Sequence, residues 1–164
     1  MSRKAATDNP RLVLSVQYAI DAPDLPRWRV RRWVQQAVNA AAGAGALPGV
    51  ATVALALRLV DSDEAQTLNR DFRGRDYATN VLTFEYGVDP DATASGDIIL
   101  CLPVLYREAA EQGKTVLDHA AHLAVHGVLH ALGYDHIEPE EADTMEALET
   151  SILAGMGIAD PYQA

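Results

Sequence analysis

His126, His130 and His136, three of the chain's five histidines, fall in the run His126-Gly-Val-Leu-His130-Ala-Leu-Gly133-Tyr-Asp-His136. On a helix the first two stand one above the other on the same face, because residues four apart are axial neighbours. Gly133 is where such a helix can stop, since glycine reaches the left-handed conformation at little steric cost. The chain then turns back and presents His136 as a third nitrogen. Three neutral imidazoles with no obvious fourth ligand describe a zinc site with one position open to water, a catalytic arrangement rather than a structural one. All-nitrogen ligation favours one zinc ion per chain, although nickel and copper also suit imidazole. The alternative is a helix that carries a polar stripe and no metal.

Zinc peptidases of the H-E-x-x-H type share this ligand spacing and use the glutamate beside the first histidine as general base. Here that position is Gly127, which can neither take nor give a proton. A peptidase working by the usual route is therefore disfavoured. Zinc still lowers the pKa of a bound water towards about 7, but the proton-transfer partner must come from elsewhere in the chain.

A second group of chemically capable residues spans Leu68 to Phe84. It packs Arg70, Arg73, Arg75, Asp71, Asp76 and the pair Thr79-Asn80 into a turn between a helix and a strand. Arginine offers a planar fork of donors that matches phosphate and stays charged at physiological pH. Beside a metal it would hold a phosphate and stabilise charge in the transition state. The plainer reading is that Arg73 and Arg75 pair with Asp71 and Asp76 and merely shape the loop.

The elements that must position these residues can be read from periodicity and turn chemistry. Leu12 to Val16 reads as a strand, and Leu25 to Ala42 has helical spacing in Val30, Trp33, Val34 and Val38. Ala51 to Val60 alternates as a strand, and Asp61-Ser-Asp63-Glu64 starts a helix that continues through Asn69. Val81 to Phe84 and Asp97 to Leu100 read as two further strands, with Gly87 to Gly96 as an exposed loop between them. A helix covers Val104 to Gln112. Thr115-Val-Leu-Asp118 resembles a capping pattern that leads into the histidine helix, which runs to about Leu132 and is apolar around much of its circumference. Pro139 opens a last helix with Met145, Leu148, Ile152 and Leu153 as its core face. Strands first and helices later around one sheet make an α+β domain.

Length and composition agree with one globular domain over residues 1–164, with residues 1–10 as a flexible N-terminus. No apolar run is long enough to span a membrane, and the N-terminal segment lacks the marks of a signal peptide. Cys101 is the single cysteine, so no intramolecular disulfide forms; the expected compartment is the cytoplasm. The net charge of −10 divides unevenly: residues 1–75 carry eleven Lys or Arg against seven Asp or Glu, and residues 76–164 carry two against sixteen. An acidic protein is not the default nucleic-acid binder, because the phosphate backbone demands cations. The arginines do cluster, however, at Arg27, Arg29, Arg31 and Arg32 and again at Arg70, Arg73 and Arg75.

Taken together, these residues resemble the YbeY family of bacterial metal-dependent endoribonucleases. The resemblance rests on Leu68-Asn69, Phe72-Arg73-Gly74, Asp76, Thr79-Asn80-Val81-Leu82, Gly96-Asp97-Ile98 and Gln112-Gly113-Lys114. It continues through His119, His122, the His126 to His136 run, Met145-Glu146 and Asp160-Pro161-Tyr162. It covers about Ala51 to Tyr162, whereas the first fifty residues match in general shape only. It implies a mixed sheet of about four strands packed with several helices, zinc on His126, His130 and His136, and a functional arginine at Arg73. It also implies cleavage of single-stranded RNA, maturation of the small-subunit ribosomal RNA 3′ end and late ribosome quality control. The implied partners are ribosomal RNA and the small subunit or its associated proteins, with no membrane and no DNA. The chain departs from the family pattern at Ala78, where proline is common, and at Thr83-Phe84-Glu85, where Ser-Phe-Pro is common. Both departures bear on the shape of the cleft and on RNA preference.

Other residues have two readings each. His122 serves as a supporting or substrate-contacting residue or as a packing histidine. Asp135 orients a ligand imidazole or caps the turn, and Asp97 starts a strand in a turn role or a catalytic one. Two rival functions are another zinc hydrolase and a non-enzymatic ribosome assembly factor with a structural zinc.

Overall fold

The structure is a computed structural model, and it describes residues 9–135 and 137–163. His136, the expected third ligand, lies outside the described residues, as do residues 1–8 of the expected flexible terminus. The expectation included Pro10, but Pro10 is buried, and the backbone N–H of Arg11 beside it donates to the Ala51 carbonyl at 2.9 Å.

Four strands and five helices follow one another along the described chain: β1 (Arg11–Tyr18), α1 (Arg27–Gly43), β2 (Thr52–Val60), α2 (Ser62–Arg73), β3 (Val81–Val88), β4 (Thr93–Cys101), α3 (Leu102–Gln112), α4 (Val116–Ala131) and α5 (Pro139–Ala154). The strands form one mixed sheet in the order β1-β2-β4-β3. β1 and β4 run parallel to β2, and β3 returns antiparallel to β4 with Thr83 opposite Ile98. The α+β expectation is met.

The segment 87–96 is not the exposed loop that its Asp, Pro and Ser content indicates. β3 runs on to Val88 past an irregularity between Glu85 and Gly87, and β4 begins at Thr93, so the true turn is short. Pairing with β2 decides this. Thr93, Ala94 and Ser95 lie opposite Thr52, Val53 and Ala54, and the ladder overrides weak local strand propensity.

Alternation along β4 divides the core. Ile98 and Leu100 join the main apolar cluster with α1, α4 and α5, whereas Ile99 and Cys101 join a smaller cluster under α2 with Val60, Ala65, Leu82 and Val104. The helix α4 is central and packs against α1, α3, α5, β3 and β4. Its Val125, Val128 and Leu129 are fully buried, each such side chain stabilising the fold by roughly 1.5–3 kcal/mol. The helix starts where expected, with the Asp118 N–H donating to the Thr115 hydroxyl at 3.1 Å. It stops at Leu132 and Gly133, whose φ of 105° lies in the region that favours glycine.

Gly127 owes its identity to this packing. A Cβ at that position would lie 2.7 Å from Ile98 Cγ2 and 3.4 Å from Val81 Cγ2. The side that a peptidase's glutamate would occupy is pressed against the sheet. Among the described residues no helix is long and apolar enough to cross a membrane.

Candidate metal and phosphate site

The helical spacing of His126 and His130 does bring the two imidazoles together, with ring centroids 4.5 Å apart. Each ring is held by its Nδ1. His126 Nδ1 donates to Glu149 Oε1 at 2.7 Å, and His130 Nδ1 donates to the Tyr134 carbonyl at 2.9 Å. An ionised carboxylate and a carbonyl only accept, so the ring proton sits on Nδ1 and the lone pair on Nε2 in both residues. Metal-ligating histidines are usually oriented in this way. The donor set therefore fits a divalent metal on the Nε2 side.

Glu149 is the residue that sequence reading missed. It stands on α5 with its side chain fully buried. Burial pushes its carboxyl up, but hydrogen bonds from His122, His126 and Tyr162 together prevail and hold it at about 2. It is therefore a carboxylate at neutral pH. Tyr162 donates to Oε2 at 2.5 Å and His122 Nε2 lies 3.3 Å from the same oxygen. Burial and this donation raise the Tyr162 phenol above its ordinary value. A sequence signal did exist: Met145, Glu149 and Ile152 share one face of α5, and a carboxylate on a core face must have partners.

His122, His126 and Glu149 also place ligand atoms within 4.8 Å of one another, a group that could itself hold a metal ion. That set competes with the hydrogen bond between His126 and Glu149, since a cation between them would displace the proton they share. The observed distances match a carboxylate that aims His126. His122 thus takes a supporting place beside Glu149 and Tyr162.

His126 and His130 line a cleft of about 860 Å³ together with Arg73, Arg75, Asn80 and Asp135. Arg73 ends α2, whose start is capped by Asp61, the Oδ1 of which accepts from the Glu64 N–H at 2.9 Å, and whose end is Gly74 in the left-handed conformation. The guanidinium of Arg73 donates to the Thr83 carbonyl on β3 and lies 5.2 Å from the centre of the Phe84 ring. The expected pairing with acids takes another form. Asp71 pairs with Arg70 at 3.3 Å, and Asp76 accepts from Gln66 at 3.0 Å. Arg73 is thus steadied by a carbonyl and a ring, and its guanidinium carries further N–H donors in the same plane.

Asn80 belongs to a second, half-buried relay. Its amide donates to Glu108 Oε1 at 3.0 Å, and Glu108 Oε1 also lies 2.9 Å from His119 Nε2. Burial lowers the pKa of His119 and outweighs the opposing effect of Glu108. His119 is therefore neutral, donates through Nε2 and braces Asn80 from below. Asp97 sits within β4 rather than at its start, and it accepts from the Tyr86 hydroxyl at 2.7 Å.

Comparison with known proteins places these residues in context. A family model described as Endoribonuclease YbeY matches residues 16–157, which extends the resemblance back beyond Ala51 into β1. A protein named Endoribonuclease YbeY from Bordetella pertussis is 67% identical over 153 residues, covering 93% of this chain and 97% of the relative. One from Alkalilimnicola ehrlichii is 53% identical over 165 residues, covering 97% of this chain and 96% of the relative. The solution structure of TM1509 from Thermotoga maritima matches with a TM-score of 0.56 at 21% identity, covering 93% of this chain and 100% of that one, a likeness of fold.

Proposed function

The chain belongs to the YbeY family, and from that premise we propose that it is a metal-dependent endoribonuclease of ribosomal RNA maturation. The observation that carries this reading is the shared cleft, where two imidazoles with fixed Nδ1 protons face the same space as the guanidinium of Arg73. His126 and His130 would hold the metal through Nε2, with His136 as the third ligand and zinc as the ion. When bound, the ion would supply Lewis-acid polarisation of a phosphate oxygen and a more acidic water.

The chain's own residues do the rest. Glu149 keeps the proton on His126 Nδ1 and so keeps Nε2 turned to the cleft. Arg73 binds the scissile or a neighbouring phosphate and stabilises its developing charge, as a preorganised cation does. Asn80, braced by Glu108, lines the same wall. Gly127 leaves no general base at the peptidase position, so peptide hydrolysis is not the reading. The substrate is single-stranded RNA at the 3′ end of the small-subunit ribosomal RNA, in the cytoplasm, with a role in late ribosome quality control. The net charge of −10 favours delivery of that RNA by proteins of the small subunit over capture of free RNA. The same charge favours the second reading, an assembly factor whose metal serves the fold.

The test is cleavage of an end-labelled ribosomal RNA fragment by metal-quantified wild type, Arg73→Ala and His130→Ala. Cleavage that both substitutions abolish supports the enzyme. Equal cleavage by all three proteins points to a contaminant, and none by any of them supports the assembly factor. A cyclic phosphate product end would identify the RNA 2′-hydroxyl as the attacking group.

A further inference from the structure

Five of the chain's ten aromatic side chains line the cleft that holds His126 and Arg73, both phenylalanines among them. Three are far from buried: Phe72 is 65% exposed, Tyr86 62% and Tyr77 51%. These residues are not loose. Phe72 occupies the last turn of α2 and meets Phe84 of β3 edge to face, with centroids 5.6 Å apart. Tyr86 is anchored by its hydroxyl on Asp97. The backbone at Tyr77 is pinned by the buried Asn69, whose amide donates to the Tyr77 carbonyl at 2.9 Å. Exposed rings on rigid supports are a costly feature for a fold to keep unless something covers them.

We propose that Phe72 is the floor of a nucleobase subsite, with Tyr77 and Tyr86 on its rim, and that it seats one unpaired base beside the phosphate held by Arg73. This rests on the ribonuclease reading above. The chemistry of the neighbours selects the occupant. Phe72 and Arg73 both line the cleft and both lie against the Phe84 ring, so a flat apolar ring and a planar cation meet there. A nucleotide offers the same alternation of flat base and anionic phosphate. A peptide aromatic would match the ring but not Arg73 and Arg75. Bases within an A-form duplex have both faces covered by neighbours, so the subsite admits strands whose bases can be splayed out. Stacking is also tolerant of base identity, because every base has a π-face.

The test uses the metal-loaded full chain and a short unpaired ribo-oligonucleotide carrying 2-aminopurine at each position in turn. Wild type and Phe72→Tyr should quench the fluorescence at one position, and Phe72→Leu should not. An abasic residue at that position should weaken binding by wild type roughly 5- to 150-fold and weaken binding by Phe72→Leu no further. Phe72→Leu that keeps the quench, or wild type that quenches at no position, would overturn the subsite. Cleavage of the same oligonucleotide is scored in parallel. Quenching without cleavage would sink the ribonuclease reading and leave the base subsite standing. Cleavage without Phe72-dependent quenching would do the reverse.

Discussion

Glu149 Oε1 lies 2.7 Å from Nδ1 of His126, and this contact joins α5 to α4 across the buried core. One carboxylate oxygen thereby sets the tautomer and the direction of one imidazole, while the other oxygen takes up Tyr162 and His122.

Glu149→Gln keeps the shape of this contact and removes its charge. Metal affinity of the purified full chain should fall roughly 10- to 100-fold, as is typical when the partner of a ligand histidine is altered. Chelator competition measures it directly. Unchanged affinity would mean that the carboxylate does not act through His126.

Gly127→Ala tests why glycine occupies the position of a peptidase base. The new methyl would meet Ile98 Cγ2 at 2.7 Å inside the interface between α4 and the sheet. Overpacking of this kind costs about 1–3 kcal/mol, read from urea denaturation. Ile98→Leu removes the clashing Cγ2, so adding it to Gly127→Ala should cost less than the two single changes together. Simple additivity would count against the clash.

Arg73 is exposed, so Arg73→Ala should leave the unfolding free energy within about 0.5 kcal/mol of wild type. Single-turnover cleavage of RNA should nevertheless fall by about 10²–10³-fold, the size seen when one preorganised charge stabiliser is removed. Arg73→Lys should recover only part of that, because an ammonium lacks the planar fork and the seat over Phe84. A lysine variant with full activity would reduce the role of Arg73 to simple charge.

The pH dependence of stability should carry a signature of His119. Facing it are Glu108 from α3, Lys114 from the turn before α4, and His122 from its own helix. Its pKa in the folded chain lies below the ordinary 6.5, chiefly because it is buried. The unfolded chain therefore takes up the proton first, so the stability is complete above pH 6.5 and is lost as pH falls towards the folded value. Among the described residues, its buried Nδ1 has no hydrogen-bond partner to receive the added proton. His119→Gln should flatten the urea midpoint between pH 7 and pH 5 relative to wild type. Parallel curves for the two proteins would contradict a neutral buried His119.

Whatever depends on short-range spacing is legible in the order of residues. His126 and His130 share a helix face because they are four apart, Thr115 caps that helix through its own third neighbour, and Gly133 ends it. The core face of α5 at Met145, Ile152 and Leu153 was legible for the same reason, whereas α2 runs on past Asn69 to Arg73, so Arg73 closes a helix where the sequence reads as a turn. Which distant side chains meet these residues depends on how the elements pack. Glu149 follows His126 by 23 residues and Glu108 precedes His119 by 11, and no periodicity links members of separate helices. The strand character of Thr93 to Gly96 likewise came from pairing with β2. Gly127, whose lack of a side chain reads in sequence as a missing base, is a glycine because α4 lies against Ile98. Local geometry is written in the order of residues, whereas the partners of a buried charge are chosen by how the elements pack.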